Sequence, residues 1–508
     1  MEANHKATFF RSSIFKLIVF AATLSVVAYF VSEKLIFGAR WSSGLHLAGV
    51  DNFLAGGTFY PESADSITAG SSYFPGVMML ALVFRLLFGY YADTVFIIFG
   101  AVSWMLTAYG FASLITKDKD NRFWLFVLAT WFLVFQFPAA RHYLLEVHPD
   151  IPSLMCFVGG ILLLPEEKTQ NRLLHYSIVT ILFYLSGLFK QNAAFLYIGL
   201  GLYVLLCKKV SLKNKISIIT CEAVAGIALI ITVLSIDGCW INCVTVNAGH
   251  HYMNWRWILF YIQNVFKYDT IFIVLCIYFL YLLIKKKVTL SLKEEMWLSA
   301  SVAWTLFCLF GSIKKGADDG NMEAGIISLM PFVLYAAKRL VQNINLKISS
   351  SKVKNLLTST NTAYEICGIF VLTIVALVVP ISKNLELYRN RLVAQQEFSE
   401  WISQKFEGKN IAYNTCVYEF LNNANLVKKS DINTIEVWQW AGLVDDESID
   451  KMAKEERWEI IMTLRDIDGK YWPKTFDRFE LIDDNSYPSI SDYMPSKVDL
   501  YILKDCTN

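Results

Sequence analysis

The sequence predicts an all-α polytopic membrane domain with about eleven transmembrane helices, followed by a small C-terminal α/β domain outside the membrane. Three observations lead to this prediction. The chain has 508 residues, of which 55% are hydrophobic, and its mean hydropathy of +0.42 is too high for a soluble protein of this length. Apolar runs long enough to cross a bilayer recur along residues 1–382. Residues 383–508 instead alternate short apolar pieces with acidic segments, which is typical of a soluble domain.

The first domain, residues 1–382, contains the predicted spans, which are apolar runs of about 17 to 24 residues. These runs lie at 14–37, 94–115, 123–140, 149–164, 173–189, 191–207, 216–236, 268–284, 296–312, 325–341 and 363–382. Another apolar run, at 74–91, is also long enough to cross, so its position depends on the charges around it.

Basic residues between the spans predict the orientation, because cytoplasmic loops carry an excess of lysine and arginine. Basic clusters precede the first span and recur in later loops, at 6–16, 117–122, 208–215, 285–287 and 338–354. Only an odd number of spans keeps all of these clusters on one side. The run at 74–91 is therefore predicted to be an external juxtamembrane helix. The expected result is a multi-pass plasma (inner) membrane protein with a cytoplasmic N-terminus and an extracytoplasmic domain at 383–508.

The first external loop, residues 38–93, contains the first catalytic candidate. His46 and Asp51 lie on a predicted short amphipathic helix, from which both are expected to reach water and a head group bound at the membrane surface. A carboxylate at this place would act as general base toward an acceptor hydroxyl. The alternative is that Asp51 is a solvated acid on the polar side of the helix.

The second external loop gathers charge at the boundary between two short spans. Charges near a membrane are costly unless they pair or serve a cavity, so Glu146 and Asp150 are further catalytic candidates. Arg141 and His148 are candidates for substrate binding in the same loop. Pro149 allows a helix to start there, with Asp150 in its first turn. The alternative is a helix cap with an ion pair to Arg141.

Two further polar segments interrupt the apolar pattern on the predicted outer side. Lys190 and Gln191 separate two apolar runs, where an ammonium suits a lipid phosphate, although snorkelling to the interface explains the lysine equally well. The loop at 312–324 has a glycine-rich turn whose backbone is able to approach a ligand closely, and its alternative is an ordinary hydrophilic loop. Its substrate-binding candidates are Lys314, Lys315, Asp318, Asn321 and Glu323.

The cysteines and histidines predict no metal site, because none of the ten cysteines belongs to a cluster with metal-ligand spacing. In an oxidising compartment, Cys239 would be able to pair with Cys243, or Cys416 with Cys506. No nucleotide-binding motif occurs, and no nucleic acid is expected as a partner.

Taken in order, these segments resemble the C superfamily of polytopic glycosyltransferases (GT-C). The similarity is to the bacterial polyprenyl-phosphate-sugar-dependent type, which is related to protein mannosyltransferases and aminoarabinose transferases. SSGLHLAGVDNFLAGGTFYP resembles their first external loop and EVHPDIPSL their second. SGLFKQNAAFLY resembles their lysine–glutamine motif, and KKGADDGNMEAG their later turn before a carboxylate, which is Glu323 here. One position departs from the pattern, because the usual first-loop aspartate falls on Ser42.

The resemblance implies transfer of a sugar from a polyprenyl-phosphate donor to a glycan, lipid or protein acceptor at the outer face of the lipid bilayer. It implies no required cofactor, although a divalent cation is compatible with the chemistry. Within enzymes, the alternative is a polymerase or ligase of lipid-linked glycans. Outside them, the alternatives are a transporter or flippase, for which the charges are concentrated too strongly at one face, and a non-catalytic relative, which Ser42 would explain.

Overall fold

The computed structural model describes residues 13–37, 41–63, 73–137, 149–166, 169–249, 255–312, 319–348, 360–464, 472–482, 488, 490–493 and 497–504. Most of this chain is helical. The helices before the sheet domain are α1 Ser13–Phe37, α2 Trp41–Leu54, α3 Gly76–Phe88, α4 Ala92–Ile115, α5 Lys119–Gln136, α6 Asp150–Leu163, α7 Arg172–Phe189, α8 Ala194–Leu206, α9 Leu212–Ser235, α10 Trp255–Tyr268, α11 Thr270–Ile284, α12 Leu292–Gly311, α13 Asp319–Ile327, α14 Met330–Ile348 and α15 Thr360–Lys405.

Each predicted span overlaps a helix, but the span predicted at 325–341 falls on two helices, α13 and α14, which a turn at Ser328 and Leu329 separates. Among the described residues, five helical stretches are long and apolar enough to cross a membrane by length and composition, or six if the bent pair α10 and α11 forms one span. The five are Ser13–Phe37, Gly76–Ile115, Arg172–Phe189, Leu212–Ser235 and Glu365–Lys405. Shorter apolar helices, Asp150–Leu163 and Gln191–Leu206, pack among them. Together they form a polytopic helical bundle.

The stretch Gly76–Ile115 is two helices rather than one long span. A 3-10 turn with a positive φ of 52° at Gly89 separates α3 from α4. The Phe84 ring lies 5.2 Å from the Phe96 ring, whereas twelve residues of straight helix would place them about 18 Å apart. Helix α3 therefore folds back on α4, and its position outside the membrane stays a prediction.

The first and last helices of the bundle run parallel to each other. Near their beginnings, the Phe15 and Phe370 rings lie 6.3 Å apart, and further along Arg391 donates a hydrogen bond of 3.1 Å to the Leu35 carbonyl. Because the residue numbers rise together, α1 and α15 cross the bundle in the same direction. The start of α1 and the C-terminal domain therefore lie at opposite ends of the bundle.

The predicted basic loops meet at the end of the bundle that is opposite the C-terminal domain. Hydrogen-bonded caps start the helices there, including the Asp118 cap of α5 and the capping box of Ser291 and Glu294 on α12. Ion pairs then connect one loop to the next, namely Lys16 with Asp120, Lys117 with Glu166, and Lys209 with Glu295. Which side of a membrane this end faces stays a prediction from its lysines.

The C-terminal domain is a five-stranded sheet with helices. Its elements are β1 Asn410–Tyr413, α16 Tyr418–Leu421, β2 Val427–Asp431, α17 Ile432–Trp440, α18 Asp446–Glu455, β3 Ile460–Leu464, α19 Pro473–Phe476, β4 Phe479–Leu481 and β5 Val498–Leu503. The strand order is β2-β1-β3-β5-β4, with β1 parallel to β2 and β3, and β5 antiparallel to β3 and β4. Apolar side chains from both faces are buried against the helices. The small α/β domain predicted from the sequence is present.

The boundary predicted between the two domains, at residues 382 and 383, falls inside α15, which passes through Pro380 and continues to Lys405. Past the apolar part, this helix buries polar side chains such as Arg391 and Gln395 against the neighbouring elements. The first-loop helix α2 also packs closely on the sheet domain, since a Cβ at Gly44 would lie 2.6 Å from the Thr415 carbonyl oxygen. The first external loop is therefore covered by the C-terminal domain.

Candidate functional site

A buried ion pair joins two of the candidate segments, one at the start of α6 and the other at the end of α7. The Lys190 ammonium donates a hydrogen bond of 3.0 Å to Asp150 Oδ2, and only 1% of Lys190 and 4% of Asp150 are exposed. A buried pair costs desolvation, and it is retained where the two charges satisfy each other or serve a cavity. The structure thus brings together two residues that the sequence analysis proposed independently.

Local backbone structure sets the position of both charges. Pro149 precedes α6, so Asp150 is the first helical residue, where the helix dipole favours a carboxylate. Lys190 ends α7 in an extended conformation before a 3-10 turn, Gln191–Ala193, and this break turns its side chain toward Asp150. Below the pair, the Ser153 and Ser186 hydroxyls lie 3.0 Å apart and connect α6 to α7.

Tyr73, from the first external loop, covers the ion pair. Its ring centroid lies 4.3 Å from Lys190 Nζ, which is a cation–π contact, and 6.1 Å from the imidazole of the fully buried His46. Its carbonyl accepts hydrogen bonds of 2.9 Å from the Tyr60 hydroxyl and the Cys243 thiol. Tyr73 was not among the residues predicted from the sequence, although an aromatic residue two positions before Pro75 in a polar loop was an available signal.

Other sequence candidates lie around this pair or outside the described residues. Glu323 is buried on α13, which packs against Cys308 of α12. Cys308 in turn is close enough to interact electrostatically with both Asp150 and Lys190. Gln191 is half-buried in the turn after Lys190. Asn321 lies within α13, where only the backbone is described. The candidates outside the described residues are Arg141, Glu146, His148, Lys314, Lys315 and Asp318.

Asp51 belongs to a different cluster, at the junction with the C-terminal domain. It accepts hydrogen bonds of 2.8 Å from Arg85 and 2.7 Å from the Tyr418 hydroxyl. Arg85 also contacts Glu419 at 3.3 Å. His46 and Asp51 point to different partners because five residues of helix rotate the side chains by about 140°. The expectation that both reach one head group in water therefore does not describe this structure.

A second guanidinium extends the Asp51 cluster toward the membrane helices. Arg391 on α15 pairs with Asp93 on α4 at 2.9 Å, and 1% of Arg391 is exposed. Gln395, one turn later, donates a hydrogen bond to the backbone carbonyl of Glu419. These contacts connect α4 and α15 to the sheet domain. We call the cluster of Asp51, Arg85, Asp93, Arg391 and Glu419 the docking joint.

The pKa of Glu419 makes the docking joint sensitive to pH. Burial raises the pKa of Glu419 to about 7; Arg85 opposes this effect, and Asp93 and Asp51 add to it. Burial also raises the pKa of Asp431 to about 7, against hydrogen bonds from Thr434 and its neighbours. Unfolded carboxyl groups titrate near about 4. Between about pH 4.5 and 7, the folded protein therefore binds more protons than the unfolded chain does.

We expect the free energy of unfolding of the C-terminal domain to fall as pH rises from about 5 to 7, because the unfolded state releases these protons first. One such group contributes about 2 kcal/mol to this change between pH 5 and 7. Thermal unfolding of the purified chain across this range measures the slope. Glu419→Gln should flatten it partly, since Asp431 still titrates. A slope that Glu419→Gln leaves unchanged would assign the effect to other groups.

Cys239 and Cys243 do not form a disulfide bond, since their Sγ atoms lie 3.8 Å apart. Cys416 is buried, and Cys506 lies outside the described residues, so the pairing of these two stays a prediction. Within the described chain, no group of three or more His, Cys, Asp or Glu side chains is arranged to hold a metal ion.

Comparison with solved structures identifies the fold. Two structures of ArnT from Cupriavidus metallidurans, one bound to undecaprenyl phosphate and one in the apo state, match this chain with a TM-score of 0.54 at 12% identity. These matches cover 96% of this chain and 97% and 98% of the ArnT chains. The chain has the GT-C glycosyltransferase fold. The expected fold class is therefore confirmed.

A second GT-C structure is also similar. The archaeal oligosaccharyltransferase AglB from Archaeoglobus fulgidus, in complex with an inhibitory peptide and a dolichol-phosphate, matches with a TM-score of 0.50 at 9% identity, covering 93% of this chain and 73% of that one. No protein-family model and no curated protein matches the sequence. Within this GT-C fold, the Asp150–Lys190 pair lies under the first external loop, which the C-terminal domain covers.

Proposed function

We propose that this chain is an integral-membrane glycosyltransferase that moves a sugar from a polyprenyl-phosphate donor to a glycan, lipid or protein acceptor. The observation that carries the proposal is the buried Asp150–Lys190 pair, held under Tyr73 at the end of the bundle that bears the C-terminal domain. The lipid phosphates in the similar structures, undecaprenyl phosphate in ArnT and dolichol-phosphate in AglB, support a donor of this class. The predicted topology assigns the reaction to the outer face of the plasma (inner) membrane.

In the proposed reaction, the two charges exchange partners when the donor binds. The Lys190 ammonium contacts the donor phosphate, which frees the Asp150 carboxylate to accept the proton of an acceptor hydroxyl. The hydroxyl oxygen then forms a bond to the anomeric carbon as the bond from that carbon to the phosphate oxygen breaks. The lipid phosphate leaves with the electron pair, and the ammonium stabilises its charge. Such a step requires no cofactor, because the donor already carries an activated leaving group.

A non-catalytic relative is the second candidate, and the surroundings of Asp51 favour it. Ser42 replaces the first-loop acid that the family resemblance leads us to expect, and Arg85 and Tyr418 already satisfy Asp51. If no other carboxylate served as base, such a chain would bind a lipid phosphate without transferring its sugar. The two candidates differ in whether Asp150 has a chemical role.

The deciding experiment mixes the purified, detergent-solubilised chain with a panel of undecaprenyl-phosphate sugars and detects release of undecaprenyl phosphate by mass spectrometry. Parallel reactions with and without EDTA show whether a divalent cation contributes. We expect release by the wild type, and a loss of at least about 100-fold in Asp150→Asn, which is the usual effect of losing a general base. Glu166→Gln, an exposed carboxylate at the opposite end, is the matched control and should leave release unchanged.

Two outcomes would contradict the proposal. Release that survives Asp150→Asn but is abolished by Asp51→Asn in a folded protein would move the base to the first loop. A wild type that binds a lipid phosphate and releases nothing from any donor would favour the non-catalytic relative.

A further inference from the structure

A groove beside the long helix α15 lies apart from the Asp150–Lys190 pair. It has a volume of about 630 Å³, within the range of about 300–1,000 Å³ that is usual for small-molecule sites. One wall is a single face of α15, formed by positions four and seven residues apart, including Leu392, Gln396 and Ser399. The opposite wall is the turn with Tyr90 and Tyr91. The groove is thus located where α15 leaves the bundle for the sheet domain.

The lining of the groove combines aromatic faces with planar hydrogen-bonding groups. Tyr91 is 53% exposed, so part of its side chain is free to contact a ligand. Gln396 donates a hydrogen bond of 2.8 Å to Glu400, which holds the amide and the carboxylate side by side. Aromatic side chains beside amide and carboxylate groups suit a sugar ring, which has apolar C–H faces and hydroxyl edges.

One buried hydroxyl in the wall has no hydrogen-bond partner among the described residues. Ser399 is 4% exposed, and its Oγ has no hydrogen-bond partner in the described part of the chain. A buried polar atom without a partner costs about 1–3 kcal/mol, and rotation of the Ser399 side chain toward the groove would let a ligand hydroxyl recover that energy. The neighbouring Ser403 hydroxyl is already engaged, because it donates to the Ser399 carbonyl. The unused hydroxyl is therefore specific to Ser399.

The charge of the lining decides which ligands fit. Among the described residues that line the groove, Glu400 is the one with a formal charge, and none is a lysine or arginine. A phosphate or another anion would meet no counter-charge there and would be repelled by the carboxylate. A neutral sugar, or one carrying an amino group, has no such cost.

We infer that this groove binds the sugar rings of a neutral or amine-bearing glycan. The inference deepens the proposed function, on which it rests only for the role of the glycan as acceptor. Glycan binding itself is independent of sugar transfer, because the groove shares no residue with the Asp150–Lys190 site.

The test is saturation-transfer-difference NMR on the full detergent-solubilised chain with chitobiose, maltose and glucosamine as probes. We expect transfer to ring C–H protons of at least one sugar, weakened at least tenfold in Tyr91→Ala and in Ser399→Val, which fills the position of the free hydroxyl. Tyr281→Ala is the matched control, since Tyr281 is a similarly exposed tyrosine, 45%, on α11. It should bind like the wild type.

The outcomes separate this inference from the proposed function. Hydrolysis of the donor, in which water replaces the acceptor and undecaprenyl phosphate is released, should persist in Tyr91→Ala, because the donor site is elsewhere. Sugar binding that Tyr91→Ala and Ser399→Val leave unchanged, or an absence of binding to all three probes, would overturn the inference. Binding of phosphocholine or an unglycosylated peptide in place of the sugars would assign the groove to a lipid head group or a polypeptide and would also overturn it.

Discussion

Lys190→Met is expected to lower the free energy of unfolding by about 3–5 kcal/mol, because it leaves the Asp150 carboxylate buried without its partner. Asp150→Asn should have a similar cost through the unpaired ammonium. The double variant Asp150→Asn/Lys190→Met removes both charges, so its stability should lie closer to the wild type than the sum of the single effects predicts. Thermal unfolding of the four proteins in detergent provides the complete cycle.

Sugar release separates the structural role of this pair from its chemical role. If the pair only stabilised the fold, the double variant would regain release along with stability. We expect instead that all three variants lose release, since neither the base nor the phosphate contact is restored.

The Lys117–Glu166 pair is a matched control for this cycle. Its atoms also lie close, at 3.1 Å, but its side chains are 87% and 60% exposed at the opposite end of the bundle. Lys117→Met, Glu166→Gln and their combination should each change stability by less than about 1 kcal/mol. Strictly additive losses in the Asp150–Lys190 cycle would show that the two charges are not coupled. That result would contradict the ion pair that we infer from their 3.0 Å contact.

Arg85→Met should release the C-terminal domain from the first external loop. Arg85 is buried and holds two carboxylates, Asp51 at 2.8 Å and Glu419 at 3.3 Å, which would both lose a cation. Breaking such a buried arrangement costs about 3–5 kcal/mol. We expect faster proteolysis between α15 and β1, around residues 406–409, and a lower unfolding temperature for the sheet domain.

Two comparisons make the Arg85 result specific. Lys454→Met removes an exposed lysine from its pair with Asp450 on α18, which keeps its contact with Arg478, and should change stability by less than about 0.5 kcal/mol. Adding Glu419→Gln to Arg85→Met should recover part of the loss, because one buried charge is then removed. If Arg85→Met left the proteolysis rate unchanged, the joint would be held by apolar contacts instead.

Some of the candidate site followed directly from residue chemistry. A carboxylate at 150 after a proline and a lysine at 190 between apolar runs were each visible as charges at helix boundaries, where burial is costly. The separation of His46 from Asp51 could also have been predicted, because helical rotation alone separates their faces, but both were expected to reach one head group. The contact of Lys190 with Asp150 and with Tyr73 was not accessible, since nothing in a local pattern specifies which distant segments meet.

Hydropathy, periodicity and charge act along the local chain, so they are sufficient to predict the helical membrane domain, the small sheet domain and the grouping of basic loops at one end. Which charged side chains face each other depends instead on how distant segments pack. The tertiary structure directed Asp51 to Arg85 and Tyr418 in the docking joint, and Asp150 to Lys190 beneath Tyr73. The physical reason is that a side chain's chemistry is carried by its own residue, whereas its burial and its partner depend on packing between segments far apart in the chain.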